Sequence, residues 1–368
     1  MAANFIPRRI FPHYATIPRS YFLGHHRAGL QKMKSMLSHI DYVVECRDYR
    51  APFTSINPMF EEALGEKRRL IVYTKRDLGN GPDLSARQQV GLVDLPPYEH
   101  FRIDAKTYLT DFVSQTEKKI RDFDNDSAVF FVSSSSRQDT RPIIKHLQTD
   151  AHGPDKLVGC RVMVVGMPNV GKSTLINNLR NQGVGKAKAV QTGGQPGITR
   201  KIGTPIKIIE RENGSHVYVL DTPGVFMPFV PDAEKMLKLA LCGCVKDAVI
   251  PPVTLADYLL YQVNLHDSLA YQRWSEPTND IMLLTDRFAR QTGHLSKGGI
   301  ANVDAAALHL IQKWRAGDLG RFILDDLEEE ARRLREETMD TASISVSQAL
   351  KAERMARKRR AKEARSKL

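Results

Sequence analysis

The stretch CRVMVVGMPNVGKSTLINNL, residues 160–179, contains the pattern that decides the fold of this chain of 368 residues. Gly166 to Ser173 fit the spacing G-x-x-x-x-G-K-S, between an apolar run of strand length and a helical pattern. Backbone N–H groups at the start of such a helix surround phosphate groups. We therefore predict a phosphate-binding loop in which Lys172 reaches the terminal phosphates and Ser173 ligates Mg²⁺. The residues expected to line this loop are Pro168, Asn169, Val170, Gly171, Lys172, Ser173 and Thr174.

Apolar runs of strand length recur along the chain and alternate with helical patterns. They lie at 39–46, 68–77, 127–136 and 160–166, with helical patterns after Asn57 and over 106–123. The alternation predicts an α/β fold, with a mostly parallel sheet and helices on both faces. Residues 204–224 contain two more strands joined at Asn213-Gly214, a pair typical of tight hairpins. The polar stretch 147–157 is expected to be a connector, and residues 233–330 show only amphipathic helical patterns.

A second motif, Asp221-Thr222-Pro223-Gly224, ends the last of these strands. An acid at a strand end beside a phosphate loop can hold Mg²⁺ through water, so we assign that role to Asp221. Gly224 can give its backbone N–H to the terminal phosphate and so sense hydrolysis. Alone, this tetrapeptide is a common turn, but after a phosphate loop and a hairpin it favours a nucleotide switch.

The base is read from a third motif, Thr74-Lys75-Arg76-Asp77, which also follows a strand. A carboxylate there can accept two hydrogen bonds from the N1–H and 2-amino groups of guanine, and adenine offers no such pair of donors. We therefore assign Asp77 to guanine recognition, with the stem of Lys75 lying along the base. After the next strand, Ser133, Ser134 and Ser135 are expected to offer backbone N–H groups to guanine O6. The predicted ligands are GTP and GDP.

The order of these motifs is unusual, because both base-reading segments precede the phosphate loop. In ordinary small GTPases they follow it, but the same sheet can form when the chain is cut at a different connection. Tyr21-Phe22-Leu23-Gly24-His25 resembles the sequence W-F-P-G-H, and Asp48-Tyr49-Arg50-Ala51-Pro52 resembles D-A-R-x-P. With the helical pattern of 293–325, these motifs resemble the circularly permuted GTPases of the YlqF/RbgA family, above all their mitochondrial ribosome-associated members. The resemblance covers residues 21–325.

The resemblance implies further roles for particular residues. Family members assist assembly of the large ribosomal subunit. Residues 192–199 match the family's switch I, so Thr199 would close over Mg²⁺ in the GTP state. Val225 and Phe226 stand where Ras-like proteins carry a water-orienting glutamine, and the resemblance makes His25 the replacement that orients or deprotonates water. A surface or RNA-contacting role for His25 stays open.

Two other positions are carried over in the same way. Asn169 is a candidate ligand for K⁺, with an ordinary polar loop residue as the alternative. Thr74 stands where the family usually has asparagine, so we expect a looser tie between its loop and the phosphate loop.

The net charge of +12 lies at the two ends of the chain. Residues 1–40 contain six basic residues and no acid, and residues 351–368 contain nine basic residues and two acids. The N-terminal segment suits a mitochondrial transit peptide, with an ordered basic arm as the alternative. The basic tail favours contact with RNA phosphates, with a solvated tail or a nuclear localisation signal as alternatives.

These features predict four parts: a transit segment at 1–20, the permuted GTPase domain at 21–230, a helical RNA- or ribosome-binding domain at 231–325 and a charged tail at 326–368. We expect a monomer of the mitochondrial matrix, without a transmembrane segment and with a candidate peripheral contact to the inner membrane. Its partners would be the mitochondrial large ribosomal subunit and its rRNA, which would stimulate a low intrinsic GTPase rate.

Two other functions stay open. The first is a GTP-dependent switch that recruits a protein partner at a membrane, and the second is a nuclear or nucleolar assembly GTPase. In the helical part, Cys242, Cys244 and Trp314 are expected in the core. The candidate RNA-binding side chains, which are expected to be exposed, are Lys297, Lys313, Arg315 and Arg321, with a merely solvated face as the alternative.

Overall fold

The fold is built on one six-stranded sheet with the strand order β3-β2-β1-β4-β6-β5. The strands are β1 (Tyr42–Asp48), β2 (Arg69–Thr74), β3 (Ala128–Val132), β4 (Cys160–Gly166), β5 (Ile206–Ile209) and β6 (Val217–Asp221). The computed structural model describes residues 5–12, 17–21, 24–65, 67–79, 105–124, 127–134, 136–150, 159–193, 202–210, 216–230 and 232–340.

Five of the strands run parallel, and only the edge strand β5 is antiparallel to its neighbour β6. The carboxyl ends of parallel strands lie at the same edge of a sheet. The segments that follow β1, β2, β3, β4 and β6 therefore share this edge, which brings together motifs more than 140 residues apart in the sequence. The predicted sheet and its hairpin strands are confirmed, while the Asn213-Gly214 turn lies outside the described residues.

Ten α-helices are described. They are α1 (Gly24–Met36), α2 (Pro58–Leu64), α3 (Ala105–Phe123), α4 (Arg141–Asp150), α5 (Lys172–Val184), α6 (Ala233–Leu241), α7 (Pro252–Asp267), α8 (Ile281–Thr292), α9 (Val303–Ala316) and α10 (Leu327–Asp340). The connector prediction for 147–157 is wrong at its start, because α4 continues to Asp150. None of the helices in the described ranges is both long and apolar enough to cross a membrane.

The later helices begin at side chains that satisfy their first N–H groups. Asp232 accepts from the N–H of Glu234, Asp280 accepts from Met282 and Leu283, and Asn302 accepts from Ala305. Short acceptors at these positions stabilise a helix start because the first turn has no backbone partners of its own. Local sequence therefore fixes where α6, α8 and α9 begin.

The core does not stop where the sheet ends. A single buried cluster includes Val164 of β4, Leu237 of α6 and Trp314 of α9. Cys242 and Cys244 are also buried, so the predicted core placement of both cysteines and of Trp314 is confirmed. The helices after residue 232 thus pack directly onto the sheet, and the domain boundary at 230/231 stays a prediction.

The N-terminal segment contacts the later helices. The guanidinium of Arg8 pairs with the carboxylate of Asp257 in α7 at 2.7 Å, and the ring of Phe11 lies edge-on to Tyr258 at 5.1 Å between centroids. Farther along, the carbonyl of Arg19 accepts from the N–H of Val230 at 2.8 Å. Part of the segment predicted as a transit peptide therefore packs against the folded chain.

Candidate functional site

The phosphate loop lies between β4 and α5, and it curls around the ammonium group of Lys172. Lys172 Nζ donates to the carbonyls of Met167 at 2.7 Å and Gly166 at 3.3 Å, and the side chain is buried. Burial lowers the pKa of Lys172, and the nearby Asp221 carboxylate opposes that shift. The lysine thus lies within the loop, as a phosphate ligand would require.

Two hard oxygen donors meet beside this lysine. Ser173 Oγ donates to Asp221 Oδ2 at 3.0 Å, and Asp221 is buried at the end of β6. Hydroxyl and carboxylate oxygens are the ligands that Mg²⁺ prefers in phosphate sites. The donor set therefore fits the predicted magnesium site.

Gly224 lies directly against the phosphate loop. A Cβ at this position would stand 2.5 Å from Pro168 Cα and 3.1 Å from Lys172 Nζ, so no other residue fits without moving the loop. The next residue, Val225, donates its N–H to the carbonyl of Gly166 at 3.2 Å. The segment after β6 is thus in close contact with the loop whose ligand it is predicted to sense.

The two base-reading segments also meet. Asp77 Oδ1 accepts from the N–H of Ser134 at 3.1 Å, and the N–H of Ser133 donates to Asp139 Oδ2 at 2.8 Å. These two N–H groups therefore organise the loop after β3, which differs from the expectation that they are offered to guanine O6. Ser135 lies outside the described residues.

The expected looser tie at Thr74 is not found. The Thr74 hydroxyl lies within hydrogen-bond distance of the Val170 carbonyl in the phosphate loop and 3.2 Å from the Arg47 carbonyl. Lys75 adds a second tie, because its Nζ donates to the carbonyl of Asn169 at 2.7 Å. The Thr74 hydroxyl and the Lys75 ammonium therefore join the two loops at two points.

Helix α1 carries His25 in its first turn and packs along the segment after β6. A Cβ at Gly29 would stand in ordinary contact with Pro223 and Val225, at 3.7 and 3.8 Å. The His25 side chain and the whole of Thr199 lie outside the described residues. Sequence reasoning missed the next residue, His26, which is buried and accepts from the N–H of Phe226 through Nδ1 at 3.3 Å.

Asn169 lies where the phosphate loop meets the turn after α6. Its backbone is left-handed, with φ +57°, and its side-chain Nδ2 would stand 2.6 Å from a Cβ at Gly243. Gly243 itself has φ +80°, a backbone conformation that favours glycine.

Two of the four helical-region cations expected to be exposed, Lys313 and Arg315, are half-buried. Arg315 is half-buried and donates to the carbonyls of Ala240 at 2.8 Å and Leu241 at 2.9 Å, at the end of α6. It also pairs with Asp247 at 2.7 Å. Arg315 therefore satisfies the last carbonyls of a helix, a role that charge alone could not reveal. Lys313 is half-buried too, while Lys297 and Arg321 are exposed.

The largest feature that sequence reasoning left without a role is a buried ion pair after β1. Asp48 and Arg50 form two side-chain hydrogen bonds of 2.9 and 3.0 Å, and both residues are almost fully buried. Burial raises the pKa of Asp48, but the charges of Arg50 and Lys75 outweigh it and hold that pKa well below its usual range. The available signal was an acid at a strand end, followed two residues later by an arginine.

This fold and this site define a GTP-binding protein of the phosphate-loop class whose motifs occur in permuted order. Residues 161–282 match a protein family described as 50S ribosome-binding GTPase. A solved structure of GNP-bound YlqF from T. maritima covers 81% of this chain and 97% of its own, at 22% identity and a TM-score of 0.50, which shows the shared fold.

Full-length relatives extend the match. Mitochondrial GTPase 1 of Schizosaccharomyces pombe is 34% identical over 88% of this chain and 94% of its own. Mitochondrial ribosome-associated GTPase 1 of Bos taurus is also 34% identical, over 86% of this chain and 92% of its own. The chain belongs to this family of mitochondrial GTPases. It is therefore a GTPase.

Proposed function

We propose that this GTPase works in the mitochondrial matrix, where it docks on the large ribosomal subunit in its GTP state and assists assembly of that subunit. The observation that carries the proposal is the sheet edge, where the strand ends bring the phosphate loop, Asp221, Gly224 and Asp77 together. The relatives' names and the family description, which mention the mitochondrial ribosome and the 50S subunit, supply the partner.

In this proposal each part of the edge has one task. Lys172 exchanges its two carbonyl bonds for the terminal phosphates, because a charge-assisted bond to phosphate is stronger than one to a neutral carbonyl. Ser173 and Thr199 would hold Mg²⁺ directly and Asp221 through water, and the ion would neutralise charge on the phosphates. Asp77 accepts from guanine, with the loop of Ser133, Ser134 and Ser135 beside it. The Gly224 N–H contacts the terminal phosphate.

His25 is the proposed group that orients the attacking water. It begins the helix that lies against Pro223 and Val225, so a shift of the segment after β6 would move it. An isolated protein in which the switch containing Thr199 is open would hydrolyse GTP slowly, and docking on the subunit would order that switch. His25→Ala should lower the stimulated rate and leave GTP affinity unchanged.

We also propose that Asn169 coordinates K⁺. Its amide nitrogen is the atom that lies against Gly243, so the amide oxygen is the donor for a cation. A faster GTPase rate in KCl than in NaCl, lost in Asn169→Ala, would support this, and equal rates in both salts would contradict it.

Sedimentation of mitochondrial lysate tests the ribosomal role. We expect the tagged protein to migrate with the large subunit in a non-hydrolysable GTP analogue and to migrate as a free monomer in GDP. The basic tail and the exposed Lys297 and Arg321 would contact rRNA, so the association should weaken steeply with salt. Free migration in both nucleotides would contradict the role, and recovery on inner membranes after nuclease treatment would favour a membrane-bound switch.

A further inference from the structure

A continuous chain of contacts, buried except at the half-buried Lys75, connects the nucleotide edge with the helical region, and its centre is Arg50. On one side, Arg50 Nε and Nη2 donate to Asp48 Oδ1 at 3.0 Å and Oδ2 at 2.9 Å, and the Arg50 N–H donates to Oδ1 at 3.1 Å. Three bonds fix the carboxylate in one orientation. The position of the Asp48 carboxylate in turn determines where its second partner lies.

The second partner of Asp48 is the lysine of the base-reading motif. Lys75 Nζ donates to Asp48 Oδ2 at 2.9 Å and to the Asn169 carbonyl at 2.7 Å. Lys75 also has a left-handed backbone, with φ +58°, which is uncommon for a residue with a side chain. The ammonium group is thus held between Asp48 and the phosphate loop.

The other side of Arg50 faces the helices. Its Nη2 donates to the carbonyl of Cys242 at 3.3 Å, just after α6. Its guanidinium carbon lies 4.8 Å from the ring centroid of Trp314 in α9, which is 1% exposed. A cation over an aromatic face is attracted to it, and more strongly when both are desolvated.

This contact is not optimised for stability. Among the described residues, two buried donors in it, Arg50 Nη1 and Trp314 Nε1, have no hydrogen-bond partner. A buried donor without an acceptor is costly, and such groups in native proteins call for an explanation. A second contact between the same two regions lies nearby, where Asn169 meets Gly243.

From this geometry we infer that Arg50 is a positioning residue that sets guanine-nucleotide affinity through Asp48 and Lys75, and that Trp314 controls it from the helical region. The inference rests on the proposed nucleotide site and adds its regulation. Since coupling between sites is reciprocal, bound nucleotide must stabilise the packing of α9 to the same extent that α9 supports nucleotide binding. A partner that displaces Trp314 would therefore release nucleotide.

The test measures the affinity of the full chain for a fluorescent GDP analogue. Arg50→Lys and Trp314→Leu should each raise the Kd about tenfold, a size typical of coupling between sites. The double variant should be little worse than either single variant, because both act through the same contact.

Arg47→Lys is the matched control. Arg47 is as deeply buried, but it pairs with Glu45 at 2.7 Å and Asp124 at 2.9 Å. Alternation along β1 places its side chain on the opposite face of the sheet from Asp48. Its replacement should lower the melting temperature and leave the Kd within about twofold of the wild type, the spread expected for a contact with no coupling.

Two outcomes separate this inference from the proposed site. If Lys172→Ala loses nucleotide while Arg50→Lys and Trp314→Leu bind as the wild type does, the inference is wrong and the site stands. If Lys172→Ala also binds normally, the proposed site itself is wrong. Should Arg50→Lys fail to fold, hydrogen exchange of the wild type decides, because GDP must slow exchange in α9 (Val303–Ala316), and unchanged exchange there would overturn the inference.

Discussion

The carboxyl edge of the sheet and the contact between the sheet and the later helices hold their polar side chains in different ways. At the edge, Lys172 and Lys75 donate to backbone carbonyls of the phosphate loop. At the helix contact, Asp325 accepts from the N–H groups of Phe53 and Thr54 and from the Thr54 hydroxyl, at 2.6 to 2.9 Å. We expect the lysines to exchange their bonds to neutral carbonyls for stronger bonds to phosphate, and the saturated carboxylate of Asp325 to maintain the structure.

The largest effect on stability is expected at Asp325. Its replacement by alanine removes three hydrogen bonds and leaves Lys238, whose Nζ lies 3.3 Å away, without this buried partner. Breaking a buried pair from one side costs about 3 to 5 kcal/mol. Denaturant unfolding should show this loss, with the exposed Asp318→Ala as control. A loss as small as that of the control would mean that the saturated contact does not maintain the structure.

Lys172→Ala should show the opposite behaviour. Removing a donor to the phosphates costs about 1.5 to 3 kcal/mol, or roughly 10- to 100-fold in GTP affinity. The free energy of unfolding without nucleotide should stay the same or rise, because burial disfavours the charged lysine. Nucleotide titration and unfolding of Lys172→Ala and the exposed Lys145→Ala would check this. A strongly destabilised Lys172 variant would show that this lysine, like Asp325, maintains the structure.

The arm at 5–12 extends the helix contact to the N-terminus. Arg8→Ala removes two bonds to the Asp257 carboxylate and should lower the free energy of unfolding by about 1 to 2 kcal/mol, since Arg8 is partly exposed. Arg9→Ala is the control, because Arg9 is exposed. If the two variants are equally stable, the Arg8 contact does not contribute to the free energy of unfolding. That result would favour the prediction that this segment is a transit peptide that is cleaved off.

The smallest effect is expected at the tie between the two loops. Thr74→Val deletes the bond to the Val170 carbonyl and should weaken GTP binding by about 1 kcal/mol, close to fivefold. Thr74→Ser retains the hydroxyl and should bind as the wild type does. The GTP affinities of the two variants and the wild type, measured under the same conditions, check this. If Thr74→Val binds GTP as tightly as Thr74→Ser, the hydroxyl does not support binding.

The sequence predicted what local pattern can encode. The strands, the hairpin pair, the permuted order and the phosphate loop all follow from short apolar runs and residue spacing. It failed where contacts join distant segments. Arg50 meets a carbonyl 192 residues away, and Arg315 caps a helix 74 residues away, so periodicity gave no sign of either. Thr74 misled for a different reason, since its hydroxyl reaches the Val170 carbonyl of the phosphate loop.

In the proposed guanine-nucleotide site at the strand ends, Asp77 recognises the base. Titration of Asp77→Asn with GTP and with xanthosine triphosphate tests it most directly, because xanthine carries a carbonyl where guanine has the 2-amino group. An asparagine amide can donate to that carbonyl, so GTP affinity should fall about 100-fold and the xanthine nucleotide should bind more tightly than to the wild type. Unchanged preference for GTP would show that Asp77 does not recognise guanine. An equal loss of affinity for both nucleotides would show that the substitution damages the loop.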